Sequence, residues 1–202
     1  MNVLPYGDRA ALVEPADPDA VLPLRDWLVE QGYSGILAVV PAARTMLVEL
    51  EPATLPVARL AELLADAEPL STRPADGDVV ELPVQYDGAD LAAVAGEVGM
   101  TVDELITLHS DGDYTVRFCG FSPGFGYLTG LDRRLWLPRL ATPRPAVPAG
   151  SVAIAGEYTG VYPRSSPGGW RLLGSTELPL FDLDRQPPAV LAPGVRVRFV
   201  PR

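Results

Sequence analysis

Between Phe118 and Gly174 the chain reads FCGFSPGFGYLTGL and then, from Trp136, WLPRLATPRPAVPAGSVAIAGEYTGVYPRSSPGGWRLLG. Short apolar runs are interrupted again and again by glycine and proline. Glycine serves where the backbone needs a positive φ or a close approach; proline fixes φ and removes a hydrogen-bond donor. Set so densely around Phe121, Phe125, Tyr127, Tyr162 and Trp170, they describe tight loops on a β scaffold. Binding and catalytic groups collect on such loops, although loop-rich surfaces also occur with no chemistry attached.

With 202 residues the chain has room for one or two domains, and 48% hydrophobic residues suffice for a real core. No apolar run reaches the ~18 residues of a membrane-spanning helix. The N-terminus, MNVLPYGDRAAL, lacks the basic leader and apolar stretch of a signal peptide. The single cysteine, Cys119, has no internal disulfide partner and sits in an apolar run, as a core residue does rather than a nucleophile. These features lead us to expect a soluble protein of a reducing cytoplasm.

Charge divides sharply along the chain. Residues 1–112 hold 5 Arg against 20 Asp and Glu, whereas residues 113–202 hold 11 Arg against 6. The acidic half argues against nucleic acid or an anionic membrane as partner of the whole chain. The basic half suits a small anion, since the guanidinium fork matches carboxylate and phosphate; solvated or paired arginines are the other reading. All 16 basic residues other than the one histidine are arginine. Without lysine there is no Walker A loop, no Schiff-base amine and no attachment point for biotin. With one His and one Cys, a zinc site of the usual ligands is not expected, and no metal is assigned.

In chain order, Val3–Val13 is a plausible hairpin about Gly7-Asp8. Val21, Leu24 and Leu28 mark an amphipathic helix that begins near Ala20 to Leu22 and stops at Gly32. Strands at Ile36–Val40 and Thr45–Leu50 precede a second helix through Leu60, Leu63, Leu64 and Ala67, with Thr54 as N-cap. Glu68–Asp78, polar and broken by Pro and Gly, reads as a linker. A strand follows at Val79–Tyr86, then a helix over Asp90–Gly96. A capping box at Thr101-x-x-Glu104 opens another helix through Leu108, leaving His109 as the last residue before a turn. Strands are expected at Tyr114–Phe118, Ser151–Ala155, Gly160–Tyr162, Trp170–Leu173 and Val195–Val200. So many short strands indicate a closed barrel or a sandwich.

Gly120-Phe121-Ser122-Pro123-Gly124 matches the G-x-S-x-G elbow of serine hydrolases, and the physics rejects it. The residue after Ser would supply an oxyanion N–H, and Pro123 has none. His109 titrates near neutrality in its ordinary state. It serves either as a general acid or base, or carboxylate holder, or as a capping side chain at a helix end. On the first reading His109→Ala abolishes activity and spares the fold. Ser165-Ser166-Pro167-Gly168-Gly169, flanked by Arg164 and Arg171, offers backbone N–H groups to an anion, or is simply a hairpin turn.

The strings GFSPGFGYLTGL, LPRLATPRPAVPAGSVAIAG and YPRSSPGGWRLLG, in that order, closely resemble the family of the 5-oxoprolinase B subunit. The family is also known as allophanate hydrolase subunit 1, and sporulation-kinase inhibitors of the KipI type belong to it. The resemblance is strongest from His109 to Asp182 and weak before residue 70. It implies an α+β fold: a small N-terminal α+β sandwich over residues 1–75, then a cyclophilin-like β-barrel over 76–202.

It further implies a non-autonomous member of a complex that opens 5-oxoproline to glutamate with ATP, the nucleotide being bound by the complex. The implied partners are a carboxyltransferase-like protein (the 5-oxoprolinase C subunit, or allophanate hydrolase subunit 2) and a third component, the A subunit. Matched position by position, the family motif places a pocket for a small anionic substrate around His109, Phe121, Pro123, Gly124, Tyr127 and Arg139. Arg144, Tyr162, Ser166, Gly168, Gly169 and Trp170 complete it. A urea or allophanate system, or an inhibitor gripping a histidine kinase, is the alternative expectation.

Overall fold

The computed structural model of the protein describes residues 1–65, 67 and 79–202. The chain falls into two compact units, Met1–Asp76 and Gly77–Arg202. The linker expected at Glu68–Asp78 lies outside the described residues.

The first unit runs β1 (Asn2–Pro5), β2 (Ala10–Glu14), α1 (Val21–Gln31), β3 (Ile36–Pro41), β4 (Met46–Leu50) and α2 (Val57–Ala65). Its strands form one antiparallel sheet ordered β1-β2-β4-β3. Val21, Leu24 and Leu28 are the buried residues of α1, the stripe that their spacing requires. The helix ends at Gly32, with φ 59°, where glycine bears no Cβ penalty. Together with Leu60 and Leu64 of α2 they cover one face of the sheet, packing on Val13, Met46, Val48 and Leu50. Thr54 is not the N-cap of α2. It lies in a turn, and the first helical bond runs from the Leu60 N–H to the Pro56 carbonyl at 3.1 Å.

The second unit comprises β5 (Val80–Val84), α3 (Leu91–Glu97), α4 (Val102–Ser110), β6 (Tyr114–Cys119), β7 (Gly126–Thr129), β8 (Arg144–Val147) and β9 (Ser151–Ala155), then β10 (Tyr158–Val161), β11 (Ser166–Gly168), β12 (Arg171–Ser175) and β13 (Arg196–Pro201). Seven of these strands join in the order β12-β9-β10-β7-β6-β13-β5. The two ends of that sheet meet where Gln85 and Ser175 exchange backbone bonds of 2.9 and 2.8 Å. The sheet is therefore a nearly closed barrel, and closure hides strand edges that would otherwise recruit other chains. The fold is α+β, a small α+β unit followed by a β-barrel.

β9 is buried on both faces, and successive side chains of a strand point opposite ways. Val152 and Ile154 enter the barrel core with Leu82, Val116, Leu128 and Phe199. Ala153 and Ala155 face a second cluster containing Phe125, Tyr162 and Trp170. The outer side of β9 thus carries the aromatic residues of the Gly/Pro-rich stretch. Over them lies the two-stranded piece formed by β8 and β11. Ser166–Gly168 is therefore a short strand, paired with Val147 and Arg144, rather than a free turn.

Candidate functional site

The aromatic cluster is assembled by edge contacts. Phe125 meets Tyr162 and Trp170 with ring centroids 5.4 Å apart in both cases, and Tyr127 meets Trp170 at 5.6 Å. Tyr127 in turn stacks on Phe118 at 4.2 Å. Edge-to-face pairs match the positive rim of one ring to the negative face of the next. Two glycines make room. A Cβ on Gly160 would lie 3.2 Å from the Trp170 ring and 2.9 Å from the Gly126 carbonyl. One on Gly168 would overlap the Tyr162 hydroxyl.

Phe125, Tyr162 and Trp170 are buried, whereas Phe121 is 59% exposed. Phe121 sits with φ 65°, a conformation rare for a bulky side chain, and touches Phe125 and Tyr162 from above. Pro123 beside it is exposed and Gly124 buried. Gly169 accepts the Leu140 N–H at 2.7 Å, which ties the loop bearing Arg139 to the end of β11. Ser166 points its hydroxyl at the Arg164 carbonyl, 3.4 Å away.

Burial pushes the Tyr162 phenol up, while a hydrogen bond with the Trp170 backbone and the nearby Arg139 and Arg144 charges pull the other way. The two guanidiniums differ in availability. Arg144 donates to Asp90 Oδ1 at 2.6 Å and to the Trp170 carbonyl at 3.4 Å. Asp90 is itself buried, and its second oxygen accepts the Leu172 N–H at 2.7 Å. Arg171, expected to flank an anion, instead pairs with Glu97 at 2.6 Å and donates to the Pro138 carbonyl. Arg139 and Arg164 are exposed and, among the described residues, their side chains carry no hydrogen bond or ion pair. Packed aromatics with the Arg139 charge acting on Tyr162, and with exposed Arg164 two residues along the chain from Tyr162, can hold a small flat anion by contact and charge.

His109 stands apart from this surface. It lies within α4, is 0% exposed, and packs on Phe199 at 4.6 Å. Thr159 Oγ1 donates to the Ala153 carbonyl, so it accepts from His109 Nε2 at 3.0 Å. Nδ1 is then the acceptor for the Tyr86 hydroxyl at 2.8 Å. Burial drives the imidazole pKa down to about 3. Along the β10 segment, Thr159 points into the barrel and Tyr162 to the other side. His109 and the aromatic surface therefore occupy opposite faces of the same strands. The structure brings the other expected residues to one side of the barrel and leaves His109 on the other, as a neutral core residue.

Ser122 is no nucleophile in geometry either. Its Oγ is buried and, among the described residues, has no hydrogen-bond partner, and the turn leads into β7 rather than a helix. Among the described residues no group of three or more His, Cys, Asp or Glu gathers as a metal would need, and no helix is long and apolar enough to cross a membrane. A groove of about 470 Å³ runs along α4 between Met100, Asp103, Glu104, Leu108, Asp111 and Arg134. Its carboxylates make it unsuited to an anion, and it contains none of the residues expected from sequence. The sequence does not mark Asp90 as a site residue. It precedes an apolar helix like any helix-opening aspartate, and nothing local links it to Arg144 or Leu172.

Residues 1–191 match the family model described as carboxyltransferase domain, subdomain C and D. The 5-oxoprolinase B subunit of Haemophilus influenzae is 38% identical across 99% of this chain and 97% of its own length. That of Escherichia coli O157:H7 is 52% identical over 126 residues, 61% of this chain and 58% of that protein. The crystal structure of TTHA0988 superposes with a TM-score of 0.84 at 38% identity, covering 97% of this chain but 41% of that one. The match thus spans little more than half of the E. coli relative and less than half of TTHA0988. The urea amidolyase of K. lactis shares the fold, with a TM-score of 0.70 at 19% identity over 99% of this chain and 15% of its own. This chain belongs to the family of the carboxyltransferase domain, subdomains C and D, and proteins named as the B subunit of 5-oxoprolinase are its relatives.

Proposed function

We propose that this chain is one subunit of an ATP-dependent cyclic-amide hydrolase that opens 5-oxo-L-proline to L-glutamate, inactive without its partner subunits. The observation that carries the reading is the near full-length likeness to a protein named as the B subunit of 5-oxoprolinase. A lactam is a poor electrophile. Its carbonyl oxygen attacks the γ-phosphorus of ATP and releases ADP. Water then adds to the activated carbon, the C–N bond breaks as the nitrogen takes a proton, and the γ-glutamyl phosphate so formed is cleaved by a second water to glutamate and phosphate. Substrate and intermediate are anionic throughout, so positioning and charge stabilisation carry the rate.

In this reading Arg139 meets the substrate carboxylate, Phe121 and Tyr127 wall the ring, and Arg164 extends the positive rim. Arg144 positions the floor through Asp90 rather than touching substrate. The chain has no lysine for a phosphate-cradling loop or for biotin, so the nucleotide is held mainly by the partners: one carboxyltransferase-like, the other a third component of the complex. The ATP requirement suits an assembly in the cytoplasm.

The test is co-expression with candidate partners, followed by assay of 5-oxoproline-dependent ADP and glutamate release. The chain alone is expected to be silent and the assembly active. Turnover of allophanate in place of 5-oxoproline, or stable capture of a histidine kinase with no carboxyltransferase-like partner, overturns the reading.

A further inference from the structure

The sheet of the first unit has a second face, and its side chains line up. Leu4 pairs with Leu12, Leu12 with Leu47, and Leu47 with Val40. Four aliphatic residues therefore form one row across all four strands. The helices α1 and α2 pack on the opposite face, whose core contains none of these four residues. Leu4 is 50% and Val40 49% exposed. Directly opposed strand positions sit ~4.8 Å apart, so the row is about 14 Å long. Its two flanks are acidic: Glu14 lies two residues beyond Leu12 on one side, and Glu49 two beyond Leu47 on the other. Glu14 accepts from Asn2 Nδ2 at 3.2 Å. Glu49 is exposed and, among the described residues, its side chain has no hydrogen bond or ion pair.

We infer that this row is a docking surface for an amphipathic helix of another polypeptide, laid across the strands, with an aliphatic ridge and arginine or lysine on both flanks. Three helical turns rise ~16 Å, which matches the row, and basic flanks would meet Glu14 and Glu49. A second copy of this chain fits poorly, because any stacking of row on row sets carboxylates beside carboxylates, and like charges so placed oppose association. An aliphatic row with charged rims is the surface pattern of a recognition site rather than of scattered exposed residues. The inference does not depend on the 5-oxoproline chemistry.

The probe is a stapled three-turn helix with a leucine ridge and arginine flanks, titrated against the full chain by fluorescence anisotropy. A second peptide has the same ridge and glutamate flanks. The arginine peptide is expected to bind, and to bind at least tenfold more weakly to Leu47→Ser and to the double variant Glu14→Arg, Glu49→Arg. The glutamate peptide should bind only the double variant. Equal binding of both peptides, or no loss in either variant while circular dichroism shows them folded, overturns the proposal. So does a dimer that Leu47→Ser splits, or a photocrosslinker at position 40 that traps residues 79–202 of the same chain.

Discussion

His109 Nε2 donates to Thr159 Oγ1 across 3.0 Å inside the barrel, and Tyr86 donates to the other ring nitrogen. This chain of bonds requires a neutral imidazole. The folded pKa is depressed to about 3 by burial, below the ordinary ~6.5. The unfolded state therefore binds a proton that the folded state refuses, and stability rises with pH between those values. The contribution is complete above about pH 6.5 and is lost progressively as pH falls toward 3, amounting to a few kcal/mol. Thermal melts at pH 7.5 and pH 5 should show a clear drop in Tm, and His109→Gln should flatten it. His109→Ala leaves the Tyr86 and Thr159 hydroxyls without this partner in the core, at ~1–3 kcal/mol each. Loss of folded protein, rather than a folded but inactive chain, is the outcome to look for by yield and circular dichroism.

Asp90 ties three elements together through Arg144 and the Leu172 N–H. Removing one member of a buried pair strands the other's charge, at a cost of ~3–5 kcal/mol when burial is complete. Here the Arg144 side chain is 28% exposed, so Asp90→Ala should cost ~2–3 kcal/mol in urea unfolding. Arg144→Ala should cost less, because Asp90 keeps the Leu172 N–H. The double variant should lose less than the sum of the two; strict additivity would show that the pair does not act as a unit.

Much of this architecture is written locally. Thr101 and Glu104 form both bonds of their capping box, and α1 stops at the glycine that its periodicity indicates. β9 occupies the expected Ser151–Ala155. The strands with no local signal, β7, β8 and β11, have 3 or 4 residues each and carry Gly or Pro. β8 and β11 pair with each other about twenty residues apart, and β7, a hairpin partner of β6, is held on its other side by Thr159 of β10. The same limit applies to the site. The aromatic and glycine positions are legible because Gly and Pro punctuate them. Which arginine is free and which is held depends on Asp90 and Glu97, carboxylates more than fifty residues away. His109 stays ambiguous in the sequence because a histidine near a helix end reads alike whether its ring faces solvent or a barrel interior.

Gly168 and Gly169 are neighbours with different constraints. A methyl group at 168 would overlap the buried Tyr162 hydroxyl, whereas one at 169 meets nothing closer than 3.5 Å. Gly168→Ala should therefore cost ~1–3 kcal/mol through overpacking, and Gly169→Ala under ~1 kcal/mol. Tyr162→Phe should recover part of the Gly168→Ala loss, since the hydroxyl is the nearest obstacle. Thermal unfolding of the two single variants and the double decides it; equal losses at 168 and 169 would mean that Tyr162 is free to move aside.

Arg139 and Arg144 both act on Tyr162 electrostatically, yet among the described residues only Arg144 of the two is engaged in hydrogen bonds. An exposed arginine without partners contributes little to folding, within ~0.5 kcal/mol. Arg139→Gln should leave Tm unchanged. If its guanidinium holds the substrate carboxylate in ground and transition states alike, the reconstituted complex should show a raised KM for 5-oxoproline with kcat nearly intact. Arg144→Gln should lower Tm and disturb both constants, because the floor under the substrate shifts. A KM effect confined to Arg144, with Arg139→Gln kinetically silent, would transfer the carboxylate contact to the arginine that Asp90 holds.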